Sequence, residues 1–176
     1  MRHCKLLLLL VFLVSVLHTW ASPEFNPMQG YRLEIGDGLA LDNQNGTITF
    51  SPADRKSPSQ VWQIRPAERA GYVCFYNPYT ETALDNGNHG RREGKVLTWQ
   101  LEPGNPNQQW KMHSVSADVY ALQCAASSLW LAYNDNCQPG GHVWQLQGAA
   151  TEQHTQWRLV KTSLKVHPLT DARQSK

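Results

Sequence analysis

The sequence is poor in charge. Only 17% of its 176 residues are Asp, Glu, Lys or Arg, and the sixteen basic and fourteen acidic residues leave a formal net charge of +2. No basic run stands out: Arg91-Arg92 is the densest pair, and Glu93 follows it directly. A chain with so weak a field has no electrostatic footprint for nucleic acid or for an anionic membrane surface. Catalytic grammar is missing as well. There is no HExxH, no GxSxG and no Cys-His arrangement, so no enzyme is expected. His89, His113, His142, His154 and His167 are scattered without metal-ligand spacing, and no metal or other cofactor is called for. No segment sustains helical spacing with caps at both ends, which excludes a helical architecture.

Long apolar runs are absent too, apart from one at the chain start. Arg2 and Lys5 form a short basic head, Leu6 to Leu17 is almost unbroken in its apolarity, and Thr19 and Ala21 place small residues before Ser22. This is the three-part pattern of a secretory signal peptide, and the run is too short for a bilayer-spanning helix. Residues 1–21 are therefore expected to be a signal, 22–29 a polar leader, and the product secreted and extracellular, with no membrane insertion. Cleavage leaves 155 residues with fourteen basic and fourteen acidic side chains, enough for one ordinary domain. Of four cysteines, Cys4 leaves with the signal. In an oxidising route Cys124 and Cys137 are the expected disulfide, and Cys74 is left single.

What the sequence does have is repetition. Ser59-Gln60-Val61-Trp62-Gln63-Ile64, Asn107-Gln108-Gln109-Trp110-Lys111-Met112 and His154-Thr155-Gln156-Trp157-Arg158-Leu159 are versions of one segment, their tryptophans 48 and 47 residues apart. Upstream of each stands an alternating run: Tyr31 to Ile35, Tyr72 to Tyr76, and Tyr120 to Cys124. Leu39-Ala40-Leu41-Asp42-Asn43, Thr82-Ala83-Leu84-Asp85-Asn86 and Trp130-Leu131-Ala132-Tyr133-Asn134 come next. An aromatic then closes a short strand, Phe50, Trp99 or Trp144, 11 to 13 residues before the repeat's last tryptophan. Each landmark reads as a strand, rich in aromatic and branched residues with a period of two. Turn formers such as Asn45-Gly46, Asn86-Gly87 and Pro103-Gly104 separate them. About twelve short strands in three repeats (30–66, 71–114 and 118–161) predict an all-β, closed architecture over 30–161. Residues 162–176 form a polar tail expected to fray.

A tryptophan two residues after a glutamine, recurring at this interval, resembles the QxW signature of the ricin B-type lectins, and the Tyr-Arg-Leu and Ala-Leu-Asp runs are most similar to the fungal branch. The resemblance covers Tyr31 to about Val160. It implies a β-trefoil: six strands in a barrel and six in hairpins capping one end. It also implies that Trp62, Trp110 and Trp157 are structural core, their neighbouring amides bonding strand ends. The third repeat departs from the motif, with Thr155 where glutamine is expected. Aligning the opening tyrosines puts Cys74 level with Leu33 and Leu122, at an inward position where a thiol acts as a small hydrophobe.

The resemblance further implies a carbohydrate-binding function, with galactose or N-acetylgalactosamine-type glycans, or glycoproteins bearing them, as partners. A neutral sugar needs a carboxylate for adjacent hydroxyls, a ring under its C–H face, and an amide. In the family these come from the Leu-Asp strand end, the third-strand aromatic and the polar residue ahead of the QxW. Repeat 2 has all three, in Asp85, Trp99 and Asn107, with Gln108 beside them and the Asn86 to Gly90 loop at the rim. Repeat 1 keeps Asp42 and Phe50 but has Ser59 in the amide position. Repeat 3 has Trp144 but Tyr133 and His154 at the other two positions, with Asp135 close by, and reads as a lapsed site. The plainer alternative for both aspartates is a turn role, accepting backbone N–H groups. The competing function is a β-trefoil protease inhibitor acting through an exposed loop, Arg91-Arg92 or Pro52 to Pro58. Asn45-Gly46-Thr47 is a glycosylation sequon, expected to be exposed in its turn. The sequence leaves oligomeric state open.

Overall fold

Short alternating runs bounded by Gly, Asn and Pro fold here as strands and little else. The computed structural model describes residues 25–36, 38–87, 94–134 and 137–166. The expected signal (1–21), Asn88, His89, Gly90, Arg91, Arg92, Asp135 and His167 lie outside the described residues. In chain order the strands are β1 (Gly30–Ile35), β2 (Leu39–Gln44), β3 (Thr47–Pro52), β4 (Trp62–Pro66), β5 (Val73–Asn77) and β6 (Thr82–Asp85). The second half carries β7 (Leu97–Gln100), β8 (Trp110–Ser114), β9 (Val119–Cys124), β10 (Trp130–Ala132), β11 (Trp144–Leu146) and β12 (Gln156–Lys161).

Six strands pair antiparallel in a closed ring: β1 with β4, β4 with β5, β5 with β8, β8 with β9, β9 with β12, and β12 back to β1. Closure leaves this barrel without a free edge. The other six form the hairpins β2–β3, β6–β7 and β10–β11. These touch one another through Thr47 opposite Leu97, Thr49 opposite His142 and Lys95 opposite Trp144. Barrel plus three-hairpin cap is the expected β-trefoil.

The repeat is held by one recurrent bond. Trp62, Trp110 and Trp157 are fully buried. Their indole Nε1 atoms donate to the carbonyls of Leu41, Leu84 and Leu131 at 3.2, 3.1 and 3.0 Å. A one-turn 3-10 helix precedes each: Pro58–Gln60, Pro106–Gln108 and Gln153–Thr155. Around the indoles pack Leu33, Phe75, Leu122, Ile64 and Phe50, all of them buried.

These bonds fix the register, and in the opening strand of repeat 2 it differs from the sequence alignment by one residue. Trp62, Trp110 and Trp157 pair with Tyr31, Val73 and Tyr120 on the neighbouring barrel strands, so Val73, not Tyr72, opens repeat 2. Phe75 thus shares the innermost layer with Leu33 and Leu122. Cys74 sits one residue off that layer, opposite Arg65, whose guanidinium lies 3.8 Å from the Tyr76 ring centroid. The thiol is nonetheless buried, and loss of solvation pushes its pKa up to about 11 against the smaller, opposing pull of Arg65.

The expected Cys124–Cys137 disulfide is not formed: both cysteines are free thiols. Register supplies the reason. Cys124 is the counterpart of Asn77, whose amide donates to the carbonyls of Pro58 and Ser59 at 3.3 and 3.0 Å. In the same way the Cys124 thiol faces the carbonyls of Pro106 and Asn107 at 3.8 and 3.9 Å, and its sulfur accepts from Asn86 Nδ2 at 3.2 Å. It serves the junction with repeat 2. Cys137 belongs to the β10–β11 connection, where a Cβ on Gly141 would come within 3.6 Å of its sulfur.

The first residues of the tail are packed, contrary to the expected fraying. Thr162 and Val166 are buried, and the Thr162 N–H donates to the Gly30 carbonyl at 2.9 Å. Gly30 is needed there, because a Cβ would approach Thr162 Cγ2 to 2.6 Å and Val61 Cγ1 to 2.8 Å.

Two measurements test this account. Tryptophan-to-phenylalanine substitution at 62, 110 or 157 leaves a buried carbonyl unpaired and shrinks the ring, and should cost about 2–4 kcal/mol in urea unfolding. The three losses should be similar, and a negligible loss at any one would break the equivalence. At pH 8 a thiol of pKa about 11 is roughly one-thousandth ionised, so Cys74 should resist iodoacetamide in the native protein and react once unfolded. A Cys74-linked dimer on a non-reducing gel would contradict its burial.

Candidate functional site

The β6–β7 hairpin and the 3-10 turn ahead of Trp110 together build an open cleft of about 330 Å³, lined by Asp85, Gly87, Leu97, Trp99, Glu102, Asn105 and Asn107. Strand alternation explains the composition. Asp85 pairs with Leu97, and Ala83 with Trp99, so the three larger side chains emerge on one face of the hairpin while Leu84 and Thr98 turn inward. Trp99 is 56% exposed, which is unusual for so large an apolar ring. Opposite it, Ala83 leaves the indole uncrowded.

Asp85 is held from both sides. Its Oδ1 accepts the Gly87 N–H at 2.7 Å, the Asx-turn anticipated as the plainer role, and its Oδ2 accepts Gln108 Nε2 at 3.0 Å. Each carboxylate oxygen keeps acceptor capacity after one protein bond. The turn role and a place in the cleft therefore coexist. Asn107 gives its carbonyl to the Asn86 N–H at 3.1 Å and its own N–H to Asn105 Oδ1 at 3.0 Å. Its side-chain amide is uncommitted among the described residues.

Gln108 has a different place from the one expected. It is fully buried and does not line the cleft. Its amide donates to Asp85 Oδ2 and to the Gln100 carbonyl at 2.8 Å, and its Oε1 accepts the Glu102 N–H at 2.9 Å. It is a positioning residue, acting through Asp85. The sequence reading missed Glu102 and Asn105. The Glu102 carboxylate accepts from Asn105 Nδ2 at 2.9 Å and Gln100 Nε2 at 3.3 Å, and borders the cleft. A signal existed: an acidic residue lies six positions before the buried glutamine in both repeats 1 and 2, Asp54 before Gln60 and Glu102 before Gln108.

Repeat 1 reproduces the polar frame and loses the ring. Gln60 donates to Asp42 Oδ2 at 3.3 Å and to the Pro52 carbonyl at 3.0 Å, and accepts the Asp54 N–H at 2.9 Å. Asp42 is buried, and its Oδ1 has no partner. Phe50, however, pairs with Leu41, the residue whose carbonyl Trp62 holds, so it is the counterpart of Thr98 and not of Trp99. It is fully buried, stacked on Trp157 at 5.9 Å with the rings 10° apart. It has no face for a ligand. The position matching Trp99 is Ser51, across from Ala40.

Repeat 3 is emptier than the alignment suggested. Since Trp157 bonds the Leu131 carbonyl, Ala132 takes the aspartate position and Tyr133 the following one, where Asn43 and Asn86 stand elsewhere. Tyr133 is core: its hydroxyl donates to the Gln153 carbonyl at 2.7 Å and its ring meets Trp157 edge-on at 5.4 Å. Trp144 pairs with Ala132 and so matches Leu97. The three closing aromatics of the sequence thus occupy three different structural positions, and only Trp99 stands at a rim.

Asn45, the sequon residue, is exposed at the β2–β3 turn with a left-handed φ of 54°, a conformation asparagine tolerates. It borders a second groove that also contains Trp99 and does not include Asp42.

Against known proteins, residues 58–140 match the ricin-type beta-trefoil lectin domain-like family. A comparison with curated proteins finds no match. Among solved structures, the designed threefold-symmetric protein ThreeFoil is 24% identical with a TM-score of 0.66, over 74% of this chain and 97% of that one. An exo-beta-1,3-galactanase from Clostridium thermocellum is 20% identical with a TM-score of 0.66, over 77% of this chain. A Polyporus squamosus lectin is 17% identical with a TM-score of 0.63, also over 77% of this chain. This chain spans 30% of the galactanase and half of the Polyporus lectin. At these identities the likeness is one of fold, which agrees with the barrel and cap described above. Over residues 58–140, then, this chain is similar to ricin-type β-trefoil lectin domains, and its fold is theirs.

Proposed function

We propose that this protein is a secreted lectin that binds galactose or N-acetylgalactosamine-type glycans, chiefly through repeat 2, and catalyses nothing. One observation carries the reading: Asp85, Trp99 and Asn107, three groups with separate roles, line a single open cleft. Asp85 would accept from two adjacent hydroxyls, its orientation fixed by Gln108 and Gly87. Trp99 offers a bare ring for the C–H face, and the Asn107 amide both donates and accepts. A site already held in place loses little conformational freedom when it binds.

Two structural neighbours support a galactose-type ligand by their own descriptions, one a galactanase and one a lectin bound to Neu5Acα2-6Galβ1-4GlcNAc. Repeat 1 is the subsidiary position, with a fixed carboxylate and no ring. The inhibitor reading has no comparable convergence of groups among the described residues. The Pro52 to Pro58 loop is exposed, with its Asp54 N–H bonded to Gln60 and its Asp54 carboxylate taking the Lys56 N–H at 2.8 Å.

A glycan array of the protein without residues 1–21 should retain galactose-terminated structures, and retention of none would remove the proposal. In calorimetry with methyl β-galactoside, Asp85→Asn should lose about 1.5–3 kcal/mol of affinity, because a neutral amide cannot replace charge-assisted acceptance. Asp42→Asn should change the affinity much less. Equal losses in the two variants would refute the ranking of the repeats.

Should Asn45 be glycosylated, its glycan stands beside Trp99 and not over Asp42. Thr47→Ala abolishes the sequon while leaving Asn45 in its turn, and Thr47 is exposed. The variant should then bind galactose-terminated oligosaccharides severalfold more tightly than the glycosylated protein. Equal affinity with Asn45 proven occupied would show that the glycan does not obstruct the site.

A further inference from the structure

Four large apolar side chains are strongly exposed among the described residues, Met28, Tyr79, Trp99 and Val115. Two of them, Tyr79 and Trp99, border the same groove. It has a volume of about 530 Å³ and is completed by Asn45, Gly46, Thr80, Thr82, Thr98 and Gln100. None of these except Trp99 lines the Asp85 cleft. The groove lies where the β2–β3 turn of repeat 1 meets the β6–β7 hairpin of repeat 2, with the Thr98 N–H bonded to the Gly46 carbonyl at 3.2 Å.

Its floor is built from threonine hydroxyls set by one buried amide. Asn43 Nδ2 donates to Thr80 Oγ1 at 2.7 Å and to Thr82 Oγ1 at 2.9 Å, and its Oδ1 accepts from Thr98 Oγ1 at 3.0 Å. Thr80 and Thr82 are 2.8 Å apart, oxygen to oxygen. One of their two hydroxyl protons is used between them, so the other is left to be donated outward. The Tyr79 ring, although 46% exposed, is tied down: its hydroxyl donates to the Lys165 carbonyl at 2.9 Å. An exposed ring already fixed in place loses little rotamer entropy when something stacks on it.

We infer that the groove between Tyr79 and Trp99 is a second pyranose-binding position, which takes the sugar unit linked to the one in the Asp85 cleft. The inference rests on the lectin reading above and extends it to the size of the ligand. A pyranose is amphipathic, and the groove offers aromatic faces at its sides and a hydroxyl donor at its floor. Trp99 borders both spaces, so two linked units share one indole. The protein then reads at least a disaccharide, the second unit adding affinity with no second carboxylate.

The test is calorimetry on the Thr47→Ala protein, which keeps any glycan off Asn45, with methyl β-galactoside and Galβ1-4GlcNAc as probes. The disaccharide should bind about tenfold more tightly than the monosaccharide, the gain expected of one added stacking contact. Tyr79→Ala should erase that gain while the monosaccharide affinity, set by the Asp85 cleft, stays within about twofold. Thr82→Val, which removes a floor hydroxyl and keeps the shape, should reduce the gain in the same selective way. If the monosaccharide binds and the disaccharide gains nothing, or if Tyr79→Ala weakens both probes equally, the second position is overturned and the lectin reading stands. If neither probe binds, the lectin reading falls and this inference falls with it.

Discussion

Three buried indole N–H groups bonded to three leucine carbonyls set the coordinates of everything else in this fold. An indole buries a large apolar area and still carries one donor that must be satisfied. In each repeat the carbonyl that answers belongs to the second strand, Leu41, Leu84 or Leu131. The bond ties the strand that ends a repeat to the hairpin that caps it. It therefore determines which residue comes next along the second strand: Asp42, Asp85 or Ala132. Whether a repeat carries a carboxylate at this point of its hairpin is thus decided one residue beyond a structural bond.

A second constraint runs through the buried glutamines. Gln60 and Gln108 each span an aspartate, a third-strand carbonyl and the N–H of an acidic residue, so one side chain closes three polar groups that water reaches poorly. Unpaired, each such group would carry a desolvation cost. The arrangement also aims the carboxylate. In repeat 3, Thr155 takes the position, its hydroxyl near the Ala149 and Glu152 carbonyls at 3.0 and 2.8 Å, with no carboxylate left to aim. Loss of the glutamine and loss of the aspartate go together.

Trp99 is where the threefold symmetry is broken. Its counterparts are Ser51 and Leu146, and only here does a large ring stand out from the cap. The hydroxyl network around Asn43 and the fixed ring of Tyr79 extend its surroundings into repeat 1 and toward the C-terminal segment. The features that distinguish repeat 2 thus depend on residues far from it in sequence, brought there by packing of the hairpins.

Much of the architecture was legible in the residues themselves. Period-two runs, turn formers and three tryptophans at nearly equal spacing specify strands, repeats and a closed β-fold, because alternation and repetition are local properties of a chain. The repeat order alone placed Asp85, Trp99 and Asn107 in succession ahead of the second QxW, and in the structure all three line one cleft. Register was not. Phe50 and Trp144 share an aromatic character with Trp99, but Phe50 stands one residue from the matching position, which turns it to the other face of its strand, and Trp144 stands two residues from it; only strand pairing reveals either. Cys74 and Tyr133 were misplaced by the same single step. Whether a sulfur finds another sulfur or a carbonyl, and whether a glutamine meets a ligand or an aspartate, depends on which distant segments the barrel brings together. That was decided by the tertiary structure alone, because hydrogen-bond partners are chosen by position in space and not by order along the chain.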